Sequence, residues 1–384
     1  VVRIDNNKSL SRNITLLAYQ IGPYGGIERM LLQVAQALEK AGHNVQGIST
    51  ACSAGRTILG GIPILSLEPR NIWLRRIYSR SLHFWIPYYL RKIATSSEII
   101  IVGHFHLLKH ASNIAEKVNQ KVCLITYGTE IWREWTLVEK RLLRKCDRII
   151  AISNYTALSI IDRLPDRAAH VVVLPNMTDI NQFEPDSSPL SSHPRIILTV
   201  GRLSSTEAYK GHDLVIKSLC RVENSLQVPI EYRIVGEGDD KVRLESIAKE
   251  YGVLDKVHFL GWLKDDDLLK EYQRCHVFAM PSYVSKRPNG SWTGEGFGFV
   301  YIEAAACGKP VLACDVGGQV DCVRHGKTGI LVKPTLESVG SGLIEILSDL
   351  ERAHRMGMAG RQYVHENFTR EHFNHKWIEL IGEM

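Results

Sequence analysis

The chain contains no apolar stretch of the roughly 18 residues that a membrane-spanning helix needs, which excludes a spanning protein. None of its eight cysteines stands in a CxxC pair. Scattered as Cys52, Cys123, Cys146, Cys220, Cys275, Cys307, Cys314 and Cys322, they lie mostly in apolar runs such as CLITYG and CGKPVLACDV. They read as reduced, buried thiols rather than zinc ligands or disulfides. The opening VVRIDNNKSLSRN lacks the apolar core of a secretory signal, so a cytoplasmic location is expected. A Walker loop, GxxxxGK followed by Ser or Thr, is missing, and the first strand leads into YGGIERM rather than GxGxxG. Acidic residues are absent between Pro69 and Ser97.

What is present is the composition of an ordinary globular chain: 384 residues, 45% hydrophobic and 23% charged, with 30 Gly and 14 Pro. At about 100–200 residues per domain, the length suits two domains with full cores. Charge is uneven. Residues 1–190 hold 23 Lys and Arg against 15 Asp and Glu, net +8, and the remainder holds 24 against 26, net -2. A basic first half points to an anionic partner or surface. Within it, Arg70, Arg75, Arg76, Arg80, Arg91 and Lys92 interleave with Trp73, Tyr78, Phe84, Trp85, Tyr88 and Tyr89. Residues 70–92 therefore suit either an anionic membrane surface or a helix pair with aromatics packed inward.

Short β-rich runs alternate with helical patterns, which predicts an α/β fold with parallel sheets. ITLLAY, NVQGIS, EIIIVGHF, KVCLITYG, RIIAIS and HVVVLPN read as strands, apolar on both faces as in a sheet covered on each side. IERMLLQVAQALEKAG has the spacing of an amphipathic helix ending at Gly42. After the Pro- and Ser-rich break FEPDSSPLSSHPR the pattern restarts: RIILTVG, EYRIVGEG, KVHFLGW, VFAMPS, PVLACDVGG and GILVKP. Two doubly wound domains facing a central cleft is the economical arrangement, with strand carboxyl ends bordering the cleft.

In EGFGFVYIE, Glu295 and Glu303 are eight positions apart, and Gly294, Gly296 and Gly298 precede a helix. Small residues let a loop approach a ligand, and free N–H groups at a helix start suit an anion. In VGRLSSTEAYKGHD, Gly201 and Arg202 are followed by Lys210 and Gly211; a planar fork and a point charge suit a diphosphate. Gly25 and Gly26 could bring backbone N–H groups to a phosphate from the other side. Further strand-end features are His104, Thr129 and Glu130 in YGTE, and Gly236 and Gly238 in VGEGDD. Asp265–Asp267 read as acids at a helix start rather than a metal-binding DxD motif.

In this order over about 300 residues, the motifs resemble the family 4 glycosyltransferases, retaining enzymes of the GT-B fold. The resemblance rests on the GG loop, SNYT, LPN, GR…KG, VHFLGW, EGFGFVYIEAAACGKPVLA and GG…GKTGILV. It implies two Rossmann-like domains, residues 1–188 for the acceptor and 189–366 for a nucleotide sugar, with 367–384 a helix packing back on the first. It also implies that Arg202 and Lys210 bind the diphosphate. Glu295 with Gly296, Phe297 and Gly298 would hold the donor sugar, Glu303 the ribose, and Gly261, Trp262 and Leu263 the base. His104 would sit beside the reacting sugar, and Gly25 and Gly26 would close the phosphate pocket. Three departures stand out: PNMTD for PNGVD, Asp321 where Glu is common, and a longer VSKRPNGSWT segment.

The expected function is retaining transfer of a hexose, UDP-glucose or another UDP-hexose ahead of GDP-mannose, to a saccharide or lipid-linked acceptor. No cofactor, metal or nucleic acid is expected. A non-catalytic sugar-nucleotide or polysaccharide-binding protein is the alternative from another class; an NAD-dependent oxidoreductase fits less well because both Gly-rich turns lack the dinucleotide fingerprint.

Overall fold

In the computed structural model the described residues are 11–22, 25–53, 55–68, 96–186 and 193–384. The basic-aromatic stretch 70–92 lies outside them. Runs that are apolar at every position become central strands, because helices cover both faces of each sheet. The first sheet holds β1 (Asn13–Ala18), β2 (Asn44–Ser53), β3 (Gly55–Leu59), β4 (Ile62–Glu68), β5 (Ile99–Val102), β6 (Lys121–Thr126), β7 (Arg148–Ala151) and β8 (Val171–Val173). Their order is β3-β4-β2-β1-β5-β6-β7-β8. Every neighbouring pair is parallel except β3–β4, an antiparallel hairpin turned by Gly60 and Gly61. That hairpin is an addition to the strands expected above.

The second sheet holds β9 (Arg195–Val200), β10 (Ile230–Val235), β11 (Val257–Gly261), β12 (Val277–Ala279), β15 (Val311–Cys314) and β16 (Gly329–Val332), ordered β11-β10-β9-β12-β15-β16 and parallel throughout. Between β12 and β15 the longer VSKRPNGSWT segment folds into a small antiparallel hairpin, β13 (Ser285–Lys286) and β14 (Trp292–Thr293). Each sheet has one place where the strand order reverses, between β1 and β5 and between β9 and β12. In open α/β sheets ligands bind outside the carboxyl ends of strands at such points.

The helix Gly26–Lys40 buries Met30, Leu31, Val34, Ala35 and Leu38 on one stripe, with Glu28 in its first turn and Lys40 in its last, both favourable to the helix dipole. The final helix, Arg370–Gly382, is capped by the Thr369 side chain and buries Phe373, Trp377, Leu380 and Ile381. It packs against the helix Gly26–Lys40. The Thr178 N–H donates to the Phe368 carbonyl over 2.9 Å, and Arg370 approaches Asp179 at 3.6 Å. One apolar core thus runs from Ile14, Leu31 and Leu174 of the first half to Phe278, Phe297 and Trp377 of the second. Among the described residues no helix is long and apolar enough to cross a membrane.

Candidate functional site

The turn after β9 carries Gly201 and Arg202; the Gly201 N–H donates to the Val235 carbonyl over 2.9 Å. A short 3-10 helix, Ser205–Lys210, follows, and then the helix His212–Leu226. Lys210 is thereby turned back over the end of β9 into a nearly buried position. Its Nζ lies 3.2 Å from Glu295 Oε2 and 3.9 Å from Glu207 Oε2. Burial pushes the Lys210 ammonium down, but Glu295, Tyr209 and Glu207 together outweigh it and hold the group above the ordinary lysine value. Arg202 pairs with Glu207, and its side chain is 79% exposed. Lys210 thus meets the Glu295 turn directly, whereas Arg202 reaches only Glu207, which in turn lies beside Lys210.

Glu295 precedes Gly296, the buried Phe297 and Gly298, and Gly298 is the N-cap of the helix Phe299–Ala306. Gly296 is dictated by a close approach: a Cβ there would stand 1.8 Å from the Tyr127 carbonyl oxygen. Two helical turns along, Glu303 is 6% exposed. Its Oε2 accepts from the Tyr272 hydroxyl at 3.0 Å, and Arg29 from the first half lies 3.8 Å from Oε1. Burial raises the Glu303 carboxyl, with Arg29 and the Tyr272 hydrogen bond opposing. Gly236 ends β10 and donates to the Gly261 carbonyl over 2.8 Å. Beside it Trp262 is 68% exposed, its backbone N–H donating to Glu237 Oε1 over 3.3 Å, while Leu263 packs on the core. Gly236 and Gly261–Leu263 lie at the carboxyl ends of β10 and β11, on the β9 side of the reversal.

The first half presents the opposite wall. His104 follows β5 beside the end of β1, and its Nδ1 accepts the Tyr19 backbone N–H over 3.1 Å. Burial, with His106 alongside, lowers its pKa to about 4, so at neutral pH the ring is uncharged with Nε2 carrying the proton. The His104 ring stands 6.1 Å from the Tyr127 ring, centroid to centroid, and Tyr127 is the residue whose carbonyl meets Gly296. Gly25 is the N-cap of the helix Gly26–Lys40, and a Cβ on Gly26 would stand 3.2 Å from the Phe299 ring. The Gly pair therefore closes on the Glu295–Glu303 element. Thr129 opens a four-residue helix, and Glu130 accepts the Tyr127 N–H at 2.5 Å. Burial raises the Glu130 carboxyl although backbone N–H groups stabilise its anion. In this arrangement Glu130 supports Tyr127 and spends its oxygen on the backbone.

A second bridge between the halves comes from the Asp for Glu departure: Asp321 accepts the Asn154 N–H at the start of the helix Asn154–Ile161, over 2.6 Å. Asp265–Asp267 occupy the first turn of the helix Asp265–Arg274, where Lys264 rather than an Asp is the N-cap. Among the described residues no group of three or more His, Cys, Asp or Glu side chains is placed to hold a metal ion. A cavity of about 760 Å³ lies elsewhere, at the amino-terminal edge of the second sheet between Pro185, His276, Lys309 and Met358. Sequence reasoning passed over Glu207, Arg29, Tyr127 and Tyr272. Glu207 alone carried a signal, an acid three positions before Lys210 and inside the GR…KG stretch.

Residues 180–363 match the model of the family described as glycosyl transferases group 1, and residues 24–182 that of glycosyltransferase family 4. The chain is similar to a GDP-mannose-dependent alpha-(1-6)-phosphatidylinositol monomannoside mannosyltransferase of Mycobacterium tuberculosis. That match has 31% identity over 263 residues, 64% of this chain and 65% of the relative, so the chain spans just under two thirds of its length. The enzyme of the same description from Mycolicibacterium smegmatis is 30% identical over 279 residues, covering 68% of this chain and 70% of the relative. Among solved structures, a sucrose-phosphate synthase from Thermosynechococcus elongatus superposes with a TM-score of 0.78 at 22% identity, covering 97% of this chain and 98% of that one. Anabaena HepE in complex with UDP and glucose superposes at 0.75 with 20% identity, over 97% of this chain and 100% of that one. At those identities the likeness is one of fold, and the fold is the GT-B arrangement of two Rossmann-like units.

Proposed function

This chain belongs to glycosyltransferase family 4, and from that premise we propose that it transfers a hexose from a nucleoside-diphosphate sugar to a saccharide or lipid-linked acceptor. The observation that carries the reading is the buried Lys210–Glu295 pair, 3.2 Å apart, at the strand reversal of the second sheet. Opposite it stands an uncharged His104 at the reversal of the first. Departure of a sugar leaves negative charge on a diphosphate. Lys210, Arg202 and the free N–H groups ahead of Phe299 are groups suited to receive it. Glu295 then accepts from sugar hydroxyls, Glu303 from the ribose, and Nε2–H of His104 offers a neutral donor to the sugar or acceptor.

We place GDP-mannose first among donors and a UDP-hexose second. Support for that order is the activity named for the two mycobacterial relatives, and it reverses the order expected from the motifs alone. Transfer proceeds with retention and without a metal, a phosphate oxygen of the donor assisting deprotonation of the incoming hydroxyl. Segment 70–92 docks on an anionic membrane surface that carries the acceptor; flotation with anionic vesicles at low salt tests this, and failure to float removes it. The deciding assay measures release of GDP or UDP from a panel of nucleotide sugars with and without lipid and saccharide acceptors. Acceptor-dependent release is the expected result, and binding without turnover on any acceptor would favour a sugar-nucleotide-binding protein. Activity lost in excess chelator and restored by Mg or Mn would overturn the metal-free step.

A further inference from the structure

Glu207 sits between the two cations that face the donor diphosphate. Its Oε1 pairs with Arg202 Nη2, and its Oε2 stands 3.9 Å from Lys210 Nζ. The Glu207 side chain is only 15% exposed, and Oε2 is buried without a hydrogen-bond partner. Glu295 takes the near side of the same lysine at 3.2 Å. Two cations and two carboxylates make a cluster of zero net charge. A diphosphate entering this neutral cluster adds at least two negative charges beside the shielded Lys210, Glu207 and Glu295, where like charges repel strongly. Lys210 is flanked by both carboxylates, so a diphosphate that takes it up competes with interactions a carboxylate already holds. Glu295 is placed to follow the sugar. Glu207 has no such partner, and its buried, unbonded oxygen is the poorest-satisfied atom of the cluster.

We propose that Glu207 is an internal stand-in for the diphosphate: it holds Arg202 and Lys210 in the empty enzyme, yields them to the donor, and reclaims them to expel the nucleoside diphosphate. The proposal rests on the reading of Arg202 and Lys210 as the diphosphate cations. Glu207 acts through those cations and is a positioning residue. Its position suits an exchange. It lies in the 3-10 turn Ser205–Lys210, at a point where the backbone leaves helical geometry, so the carboxylate can move without unwinding the helix that follows. The β13–β14 hairpin rests on the same turn through the hydrogen bond from Arg287 to the Thr206 carbonyl. As long as Glu207 holds the cations, only a fraction of molecules can accept a phosphate, and apparent affinity falls by that fraction.

The test is calorimetric titration of GDP, UDP and guanosine into the wild-type protein, E207Q and E207A, alongside steady-state kinetics and thermal unfolding. For the variants, the preferred nucleoside diphosphate should bind about tenfold tighter, as expected when a state populated near 90% no longer competes. Guanosine, which has no phosphate, should bind as it does to wild type. The KM for donor and kcat should fall together as release of the nucleoside diphosphate becomes slower. A purely structural role predicts the reverse: lower melting temperature and weaker diphosphate binding, because Arg202 loses its support. Variants that bind GDP or UDP equally or more weakly, while the wild-type protein binds normally, overturn the stand-in role alone. Wild-type protein that binds neither nucleotide removes the functional reading and this proposal with it.

Discussion

The two walls of the cleft handle charge in opposite ways. On the second half, Arg202, Lys210, Glu207 and Glu295 pair opposite charges at close range. On the first half, burial keeps His104 neutral, and the Glu130 carboxyl is turned onto backbone N–H groups. A wall of paired charges can re-pair around an incoming anion. A wall of fixed neutral dipoles cannot, but it offers hydrogen bonds to hydroxyls without attracting the anion to the wrong side. On the proposed reading, the paired wall faces the leaving group and the neutral wall faces the sugar or acceptor.

Removing a charge on the second wall tests this most severely. K210A leaves two carboxylates facing a diphosphate with no buried cation between them, and kcat/KM should fall about a thousandfold, the upper range for losing one preorganised donor. R202A should cost only about tenfold, since an exposed guanidinium is screened by water and salt. Equal losses would contradict the burial contrast. The contact between the walls comes next. In G296A the new Cβ would lie 1.8 Å from the Tyr127 carbonyl oxygen, so the halves must separate. A misplacement of that size costs about a hundredfold in kcat. Small-angle scattering and kinetics on the same preparation check both the opening and the loss.

E303Q should mainly weaken donor binding. Ribose contacts act alike in ground and transition states, so KM rises about tenfold while kcat stays near its original value. A fall in kcat alone would place Glu303 at the reacting bond instead. The smallest effect concerns pH. His104 titrates at about 4 and the buried His212 at about 3, both lowered chiefly by burial, whereas unfolded imidazoles take up protons near 6.5. As pH falls below 6.5 the unfolded chain binds protons first. Stability that is complete above that value is therefore lost progressively down to about 4 and then 3. Urea unfolding between pH 7 and pH 4 should show this decline, and H104N should lessen it. An H104N slope identical to wild type would mean that the ring is not held neutral by its surroundings.

Much of this architecture was legible because its signals are local. Runs such as IIIV and RIILTV declare buried strands, and the stripe of Met30, Leu31, Val34, Ala35 and Leu38 declares a helix. Lys210 and Glu295 could be placed in one site because each follows a strand whose end must face the cleft. The β3–β4 hairpin was missed because it is an antiparallel addition at the edge of a sheet whose other strands follow the parallel strand–helix alternation, with Gly60–Gly61 marking its turn. Arg29 and Tyr272 were missed for another reason. Each matters through a partner far away in sequence, and a pairing such as Arg29 with Glu303 has no periodicity to announce it. Glu130 shows the converse: an acid in the right loop, at the end of the right strand, whose oxygen is committed to its own backbone.

The last helix has a consequence for how the molecule comes into being. Trp377 completes a core whose other members include Leu31 and Leu174, so the amino-terminal sheet lacks part of its cover until the end of the helix Arg370–Gly382 has been made. Contacts so distant along the chain close slowly, and apolar surface left waiting for them invites misassembly. During synthesis the early half must therefore remain unfinished until the helix Arg370–Gly382 has left the ribosome. A ribosome that stalls before Trp377 leaves behind a substrate for chaperones rather than a finished domain.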